Sequence, residues 1–342
     1  MDKHNKRVVL ILISATIVLA LLFIAGLTTG SSDIGIDRVI KVLTGKGSST
    51  EVQIIKYIRL PRIIAAILAG ATLSVSGAVI QTVIRNPLGS PYTLGLSAAS
   101  MFGAALAIVS TGALAQQGVA QILSDNPYII SLSAFITGML CALFVTAFAG
   151  WRGASPVTII MAGIILSALF NSATSLLQYI SSDVELSSII AWMFGDLGKA
   201  TAENTIIMAA VTIPALGWFV LKSFKINTLN AGDETAASLG IKVKKLRMLS
   251  VMLASLCTAV TVAFYGVIAF IGLIIPHVTR KITGSNEISV ITGSAIFGAI
   301  FLLLCDIAAR TITAPIVIPV GIITSFIGAP FFLWLLLRKG KL

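Results

Sequence analysis

The stretch MLSVMLASLCTAVTVAFYGVIAFIGLIIPHVT, residues 248–279, decides how this chain is folded. It runs 32 residues without a charge, bounded by Arg247 and by Arg280-Lys281. As one helix it would be about 48 Å long, against a bilayer core of about 30 Å. Gly266 and Pro276 interrupt it. The pattern therefore predicts two shorter helices that turn near Gly266 and bring the chain back to its starting side.

Eight further charge-free stretches flank this one: 8–32, 63–84, 86–124, 126–151, 153–182, 204–221, 288–305 and 311–337. A spanning helix needs about 20 apolar residues, so each stretch holds one. Stretch 86–124 has polar, Gly/Pro-rich ends and holds a helix over about 91–110 plus a loop. The total is about ten transmembrane helices. The first stretch has a basic start (Lys3, Lys6, Arg7), as signal peptides do. Its apolar core exceeds the usual ~7–15 residues and no A-x-A-like site follows, so it is expected to be a retained helix.

Composition agrees. Of 342 residues, 57% are hydrophobic and 11% charged, where a soluble domain has about 25% charged. Such a chain could not cover a soluble globule, which excludes a cytosolic enzyme and a disordered chain. Barrel strands alternate over about 10 residues, so the long apolar runs favour helices. The fold class is an all-α polytopic membrane protein with one transmembrane domain over residues 1–342.

The net charge is +11. Nucleic-acid binding would need an exposed basic face; here the cations sit between apolar runs and orient them. Ten helices starting inside put Lys3, Lys6, Arg7, Arg85, Arg152, Lys222, Lys225, Lys242, Lys244, Lys245, Arg247, Arg280, Lys281, Arg338, Lys339 and Lys341 in the cytoplasm, 16 of 24 cations. The other eight are Arg38, Lys41, Lys46, Lys56, Arg59, Arg62, Lys199 and Arg310. This bias predicts N- and C-termini in the cytoplasm.

Several kinds of chemistry are missing from the sequence. It has no G-x-x-x-x-G-K-[ST], so the chain cannot cradle ATP phosphates with a P-loop. It has no H-E-x-x-H, and only two histidines, His4 and His277. Cys141, Cys257 and Cys305 lie inside apolar stretches without metal-ligand spacing and read as small buried hydrophobes. No metal site or cofactor is expected. Membrane-embedded charges are few. Asp306 and Arg310 stand at i,i+4 and read as an ion pair within one helix near its outer end. Small residues recur every fourth position at Ala66, Gly70, Ser74 and Ala78, and at Gly95, Ala99, Gly103 and Ala107, a pattern for close helix packing. No internal repeat is evident.

Four segments crowd polar, Gly and Pro residues at helix ends. Arg59-Leu60-Pro61-Arg62 enters the second helix from outside. Proline suits a first turn, but two arginines there oppose the helix dipole, which calls for an acidic partner or for snorkelling. Next, Gln81 precedes the tight turn Arg85-Asn86-Pro87-Leu88-Gly89-Ser90-Pro91 and Gly95. Third, the loop of about 222–247 contains Gly232-Asp233-Glu234-Thr235-Ala236-Ala237-Ser238-Leu239-Gly240. An Asp-Glu pair in a first turn and a glycine just past the end predict a short amphipathic helix. Isolated, it is marginal in water; it must be held by a soluble partner or by its own membrane helices. Last comes Gly272-Leu273-Ile274-Ile275-Pro276-His277-Val278-Thr279-Arg280, where His277 reads as a structural hydrogen-bonding residue.

Together these segments resemble the permease family of ATP-driven importers for iron–siderophore complexes, haem and vitamin B12. The matching stretches also include Gly70-Ala71 through Ser76-Gly77, Leu94-Gly95, Trp192 with Gly195, Asp306 with Arg310, and Pro319-Val320-Gly321 through Gly328-Ala329-Pro330-Phe331-Phe332. They run over about residues 57–337. Two positions depart from the family pattern: Ala314-Pro315 stands where a glutamate often precedes Pro-Val-Gly, and Gly195-Asp196 where Gly-Ser is usual.

The resemblance implies a ten-helix permease domain in a bacterial or archaeal cell membrane, working as a dimer with a second copy or a paralogue. It implies cytoplasmic ATP-binding subunits, an extracytoplasmic substrate-binding protein, and an iron-siderophore, haem or cobalamin as cargo. ATP hydrolysis would lie on a separate subunit, so the chain itself is no enzyme. Gly232, Asp233, Glu234, Ala237, Leu239 and Gly240 would form the helix that couples to the ATPase. Arg59, Arg62 and Arg310 would meet acidic residues of the binding protein. Gln81, Asn86, Pro87, Pro276, His277 and Arg280 match the family's structural motif. The rival readings are an ion-gradient-driven secondary transporter, a membrane-embedded enzyme and an export permease.

Overall fold

The structure, a computed structural model, describes residues 3–30, 34–116, 128–153 and 155–337. The helix expected over about 91–110 runs over Leu96–Gln116, so the loop expected after about residue 110 begins later, and the rest of it, like the terminal cations Arg338, Lys339 and Lys341, lies outside the described residues. Among the described residues there are helices and no strands.

Thirteen helices follow one another: α1 Lys3–Thr28, α2 Ile36–Leu43, α3 Ser49–Val83, α4 Leu96–Gln116, α5 Ile129–Trp151, α6 Pro156–Ile180, α7 Asp183–Met193, α8 Ala202–Thr228, α9 Asp233–Ser238, α10 Val243–Tyr265, α11 Ile271–Thr283, α12 Glu287–Thr311 and α13 Val320–Leu337. Ten of them are the expected apolar helices in the expected order. Seven are long and apolar enough to cross a membrane (α1, α3, α5, α6, α8, α10 and α12), and α4 and α13 carry shorter apolar stretches. The tenth, α11, has 13 residues and rises only about 20 Å.

The break between α10 and α11 shows how so short a helix suffices. α10 ends at Gly266, whose φ of 72° no ordinary residue adopts cheaply. The non-helical segment 266–270 then leads to α11, whose first residues meet α3 at Leu73 and Gly77. A Cβ on Gly77 would overlap the Gly272 backbone. Irregular backbone at this depth is tolerated only inside protein, and Gly266 and Ile268 are buried. Tyr92 covers one of its acceptors, donating from its hydroxyl to the Ile268 carbonyl at 2.5 Å. The chain does return to the end where α10 began: Arg247 donates to Val83 O and Arg280 to Ala78 O, both on the last turns of α3.

α3 is the centre of the bundle. From Leu60 to Val83, 19 of 24 residues are buried, as befits a helix apolar all round. α1 and α6 instead expose rows of Leu and Ile, suited to lipid. Gly70 and Gly298 face each other so closely that a Cβ on either would overlap the other's carbonyl. This is the small-residue stripe at work, bringing α3 and α12 into backbone contact.

One expectation is corrected here. Arg59 and Arg62 do not start a helix. Helix α3 begins ten residues earlier, capped by a Ser48/Glu51 capping box. A π-helical stretch, Gln53–Arg59, lies just before Pro61. In a regular α-helix the proline ring would strike the carbonyl four residues back; the wider turn accommodates it.

Candidate functional site

Two ends of the bundle carry the polar chemistry, joined by α3. At the first end sits α9, the helix expected in the 222–247 loop. Ala236 faces inward, into the apolar cluster of Val83, Ile84, Leu229 and Leu246. Glu234, Ala237, Gly240 and Leu239 face outward, Leu239 at 64% exposure. Gly232 and Gly240 take positive φ, 109° and 77°, at the two turns that admit and release the helix.

Asp233 pins this helix. Arg247, almost fully buried on α10, donates through both Nη atoms to its carboxylate at 2.7 and 3.0 Å. The same guanidinium donates from Nε to the Val83 carbonyl at 2.7 Å, so it ties α9, α10 and α3 together. Arg85 pairs with Asp233 at 2.9 Å. Its φ of 49° is unusual for a residue with a side chain; the following turn makes it possible. There Asn86 Oδ1 accepts from Leu88 N at 2.9 Å and Asn86 N donates to Gln81 O at 3.0 Å, with Pro87 fixing the chain direction. The hydrogen bonds from Arg247 hold the Asp233 carboxyl below its ordinary pKa, against the opposing effect of partial burial.

Beside it, Gln81 and Pro276 explain one another. Pro276 lies within α11 and has no N–H, so the Gly272 carbonyl four residues back loses its helical donor. Gln81 Nε2 supplies it from α3, at 3.2 Å. Gln81 Oε1 in turn accepts from Arg280 Nη1 at 2.5 Å. Arg280 Nη2 donates to Thr82 Oγ1, which donates to the buried Glu287 at the start of α12. His277 sits half-buried on α11. The structure therefore joins Gln81, Pro276 and Arg280 in one network and puts Asn86 and Pro87 in the neighbouring turn.

At the opposite end, Arg59, Arg62 and Arg310 are 4%, 7% and 5% exposed. Arg62 Nε lies 2.7 Å from one Asp306 oxygen and Arg310 Nε 3.1 Å from the other. Asp306 is thus the acidic partner that the sequence called for. Arg59 donates to the carbonyls of Leu27 and Thr28, and Arg310 to those of Gly26 and Thr29. These are the last carbonyls of α1, which has no basic residue in its own last turn. Two guanidiniums from α3 and α12 thus cap a neighbour's C-terminus. Asp306 thus pairs with two of the three arginines, Arg62 and Arg310.

Sequence reasoning missed Arg85, Arg247, Thr82 and Glu287 as site residues. Arg247 and Arg85 stood as orienting cations, and only the fold shows their shared partner. Glu287, a carboxylate that closely follows Arg280-Lys281 and opens an apolar run, was the available signal.

Seven helices among the described residues are long and apolar enough to cross a membrane, and a short helix is clamped at one end of the bundle. The chain belongs to the FecCD transport family, whose sequence profile it matches over residues 18–338. It is 44% identical over 338 residues to a Methanocaldococcus jannaschii protein described as an ABC transporter permease, covering 99% of this chain and 97% of that one. It is 34% identical to the hemin transport system permease of Yersinia pestis (82% of each chain) and 33% to the molybdate import system permease of Haemophilus influenzae (94% of each). A solved ABC transporter structure described as metal-chelate type and inward-facing superposes with a TM-score of 0.84 at 31% identity, covering 96% of this chain and 99% of that one. The protein is a multi-pass cell-membrane permease of the ABC importer class.

Proposed function

We propose that the chain forms the translocation path for a metal chelate and is powered from outside itself. The observation that carries this is α9. One side is locked to α3 and α10 through Asp233 and Ala236, while the other presents Glu234, Ala237 and Leu239 to solvent. A six-residue helix cannot hold itself together in water, and an exposed leucine at a polar end calls for a partner. Cytoplasmic ATP-binding subunits are that partner in this reading, with both chain termini on the same side. Their closure moves α9, and Arg247 passes the displacement to α3. Iron-siderophore is the first cargo class, with haem, cobalamin and, from the relatives, molybdate as alternatives.

The opposite end receives the substrate-binding protein in this reading. Arg59, Arg62 and Arg310, buried there, brace α1 against α3 and α12 beneath the surface on which that protein docks, and are not exposed contacts. A second permease copy or paralogue completes the path.

The test is reconstitution. Proteoliposomes with the permease, its ATPase and its binding protein should accumulate cargo only with ATP. Accumulation by the permease alone, driven by an ion gradient, would overturn the reading in favour of a secondary carrier.

A further inference from the structure

At the α9 end, between the last turns of α8 and the first of α10, lies a cavity of about 400 Å³. That is within the ~300–1,000 Å³ of small-molecule sites. Lys222, Lys225, Lys242 and Lys245 line it, over a floor of Trp218 and Leu249. None of its lining residues is acidic, and among the described residues none of the four lysines enters an ion pair. We infer that this cavity is a binding site for an anionic phospholipid, its phosphate among the four lysines and its acyl chains along α8 and α10.

The arrangement is built by sequence spacing. Lys222 and Lys225 stand at i,i+3 on α8, one turn beyond Trp218; Lys242 and Lys245 stand at i,i+3 at the start of α10, one turn before Leu249. Two pairs of cations thus converge from two helices. Like charges this close repel, and cations in the first turn of α10 also oppose its dipole. α10 has no acidic residue in that turn to offset them. A phosphate removes both costs.

The floor distinguishes a lipid from a soluble anion. Trp218 and Leu249 belong to apolar spans, and tryptophan prefers the membrane interface. Leu221 and Phe224, on the same helix as the first lysine pair, are 81% and 76% exposed. Acyl chains lying along α8 cover them in this arrangement. Basic pockets between helices at the cytoplasmic interface are suited to such headgroups. The inference stands whether or not the transport reading holds.

The experiment uses the purified full-length chain, stripped of lipid in detergent and titrated with phosphatidylglycerol, phosphatidylcholine or glycerol phosphate under native mass spectrometry. Each lysine near an anionic headgroup strengthens binding about fivefold. Replacing all four by Gln should weaken phosphatidylglycerol retention at least about tenfold, while replacing all four by Arg should keep it. The pair Lys242→Gln with Lys245→Gln, both exposed, provides a milder variant should the fourfold one misfold. Equal retention of phosphatidylcholine, or no loss in either Gln variant, overturns the site. Displacement by glycerol phosphate as readily as by the lipid assigns it to a free phosphate instead. Protection of the lysines from acetylation by the ATPase subunit and not by phosphatidylglycerol assigns it to protein docking.

Discussion

Replacing Asp233 by Asn keeps the shape of the side chain and removes the charge that pins α9. Two charge-assisted hydrogen bonds from Arg247, at 2.7 and 3.0 Å, and the Arg85 pair at 2.9 Å are weakened together. Bonds to charged groups contribute about 1.5–3 kcal/mol when dry. Asp233 is 38% exposed, so solvent takes much of that away, and the Arg85 pair, equally exposed, adds only about 0.2–1 kcal/mol. Arg247 keeps its bond to Val83 O and stays buried. The net weakening of the α9 attachment is about 1–2 kcal/mol, a factor of about 5–30 in the attached population. Hydrogen exchange reads this directly at Ala236, Leu239, Gly240 and Ile241, whose amides close the helix and its exit turn. Their protection should fall by that factor, while α3 and α12 are unaffected. In proteoliposomes with the ATPase, cargo moved per ATP should fall several-fold with hydrolysis intact, and Asp233→Glu should recover part of it. Unchanged protection at these four amides together with unchanged coupling would refute the clamp.

The acid limit of the same clamp follows from its sign. Asp233 has a lowered pKa in the folded protein, so its contribution is complete above the ordinary value of 3.8 and is lost as pH falls through the lowered one; α9 protection should stay flat from pH 8 to about pH 5. At the Gln81–Pro276 pair, Gln81→Leu strips Gly272 O of its donor and should lower stability by about 1–3 kcal/mol. Pro276→Ala supplies the missing N–H, so the double variant should be more stable than the sum of the singles, as a thermal double-mutant cycle will show. Asp306→Asn leaves Arg62 and Arg310 buried without their counter-charge, a loss of about 3–5 kcal/mol visible as poor accumulation and a lowered Tm. Adding Arg62→Met to Asp306→Leu should return part of that stability.

The apolar helices were legible because lipid forces long uncharged runs on any spanning segment, and Gly266 marked the one run too long to be a single helix. α9 was legible from Asp233-Glu234 and Gly240, local signals that need no knowledge of neighbours. Less accessible was everything that depends on two distant segments meeting. Nothing near Gln81 says that it repairs a carbonyl orphaned by Pro276, and nothing near Arg59 says that it caps α1. The misplaced start of α3 has a different cause: charge counting ended the helix at Arg62, although Ser48-x-x-Glu51 is a capping box in plain sequence. Ser182-x-x-Glu185 is another, and it opens α7, which apolar-run counting passes over.

The glycine contacts on α3 have a mechanical consequence. Interlocked side chains act like gear teeth: to turn one helix against another, they must be lifted out of register. At Gly70 with Gly298, and again at Gly77 with Gly272, backbone rests on backbone, with Leu302 and Ser74 packed beside the first pair. Two such close approaches set how far α11 and α12 stand from α3, so a side chain added at either place shifts a whole helix and not one rotamer.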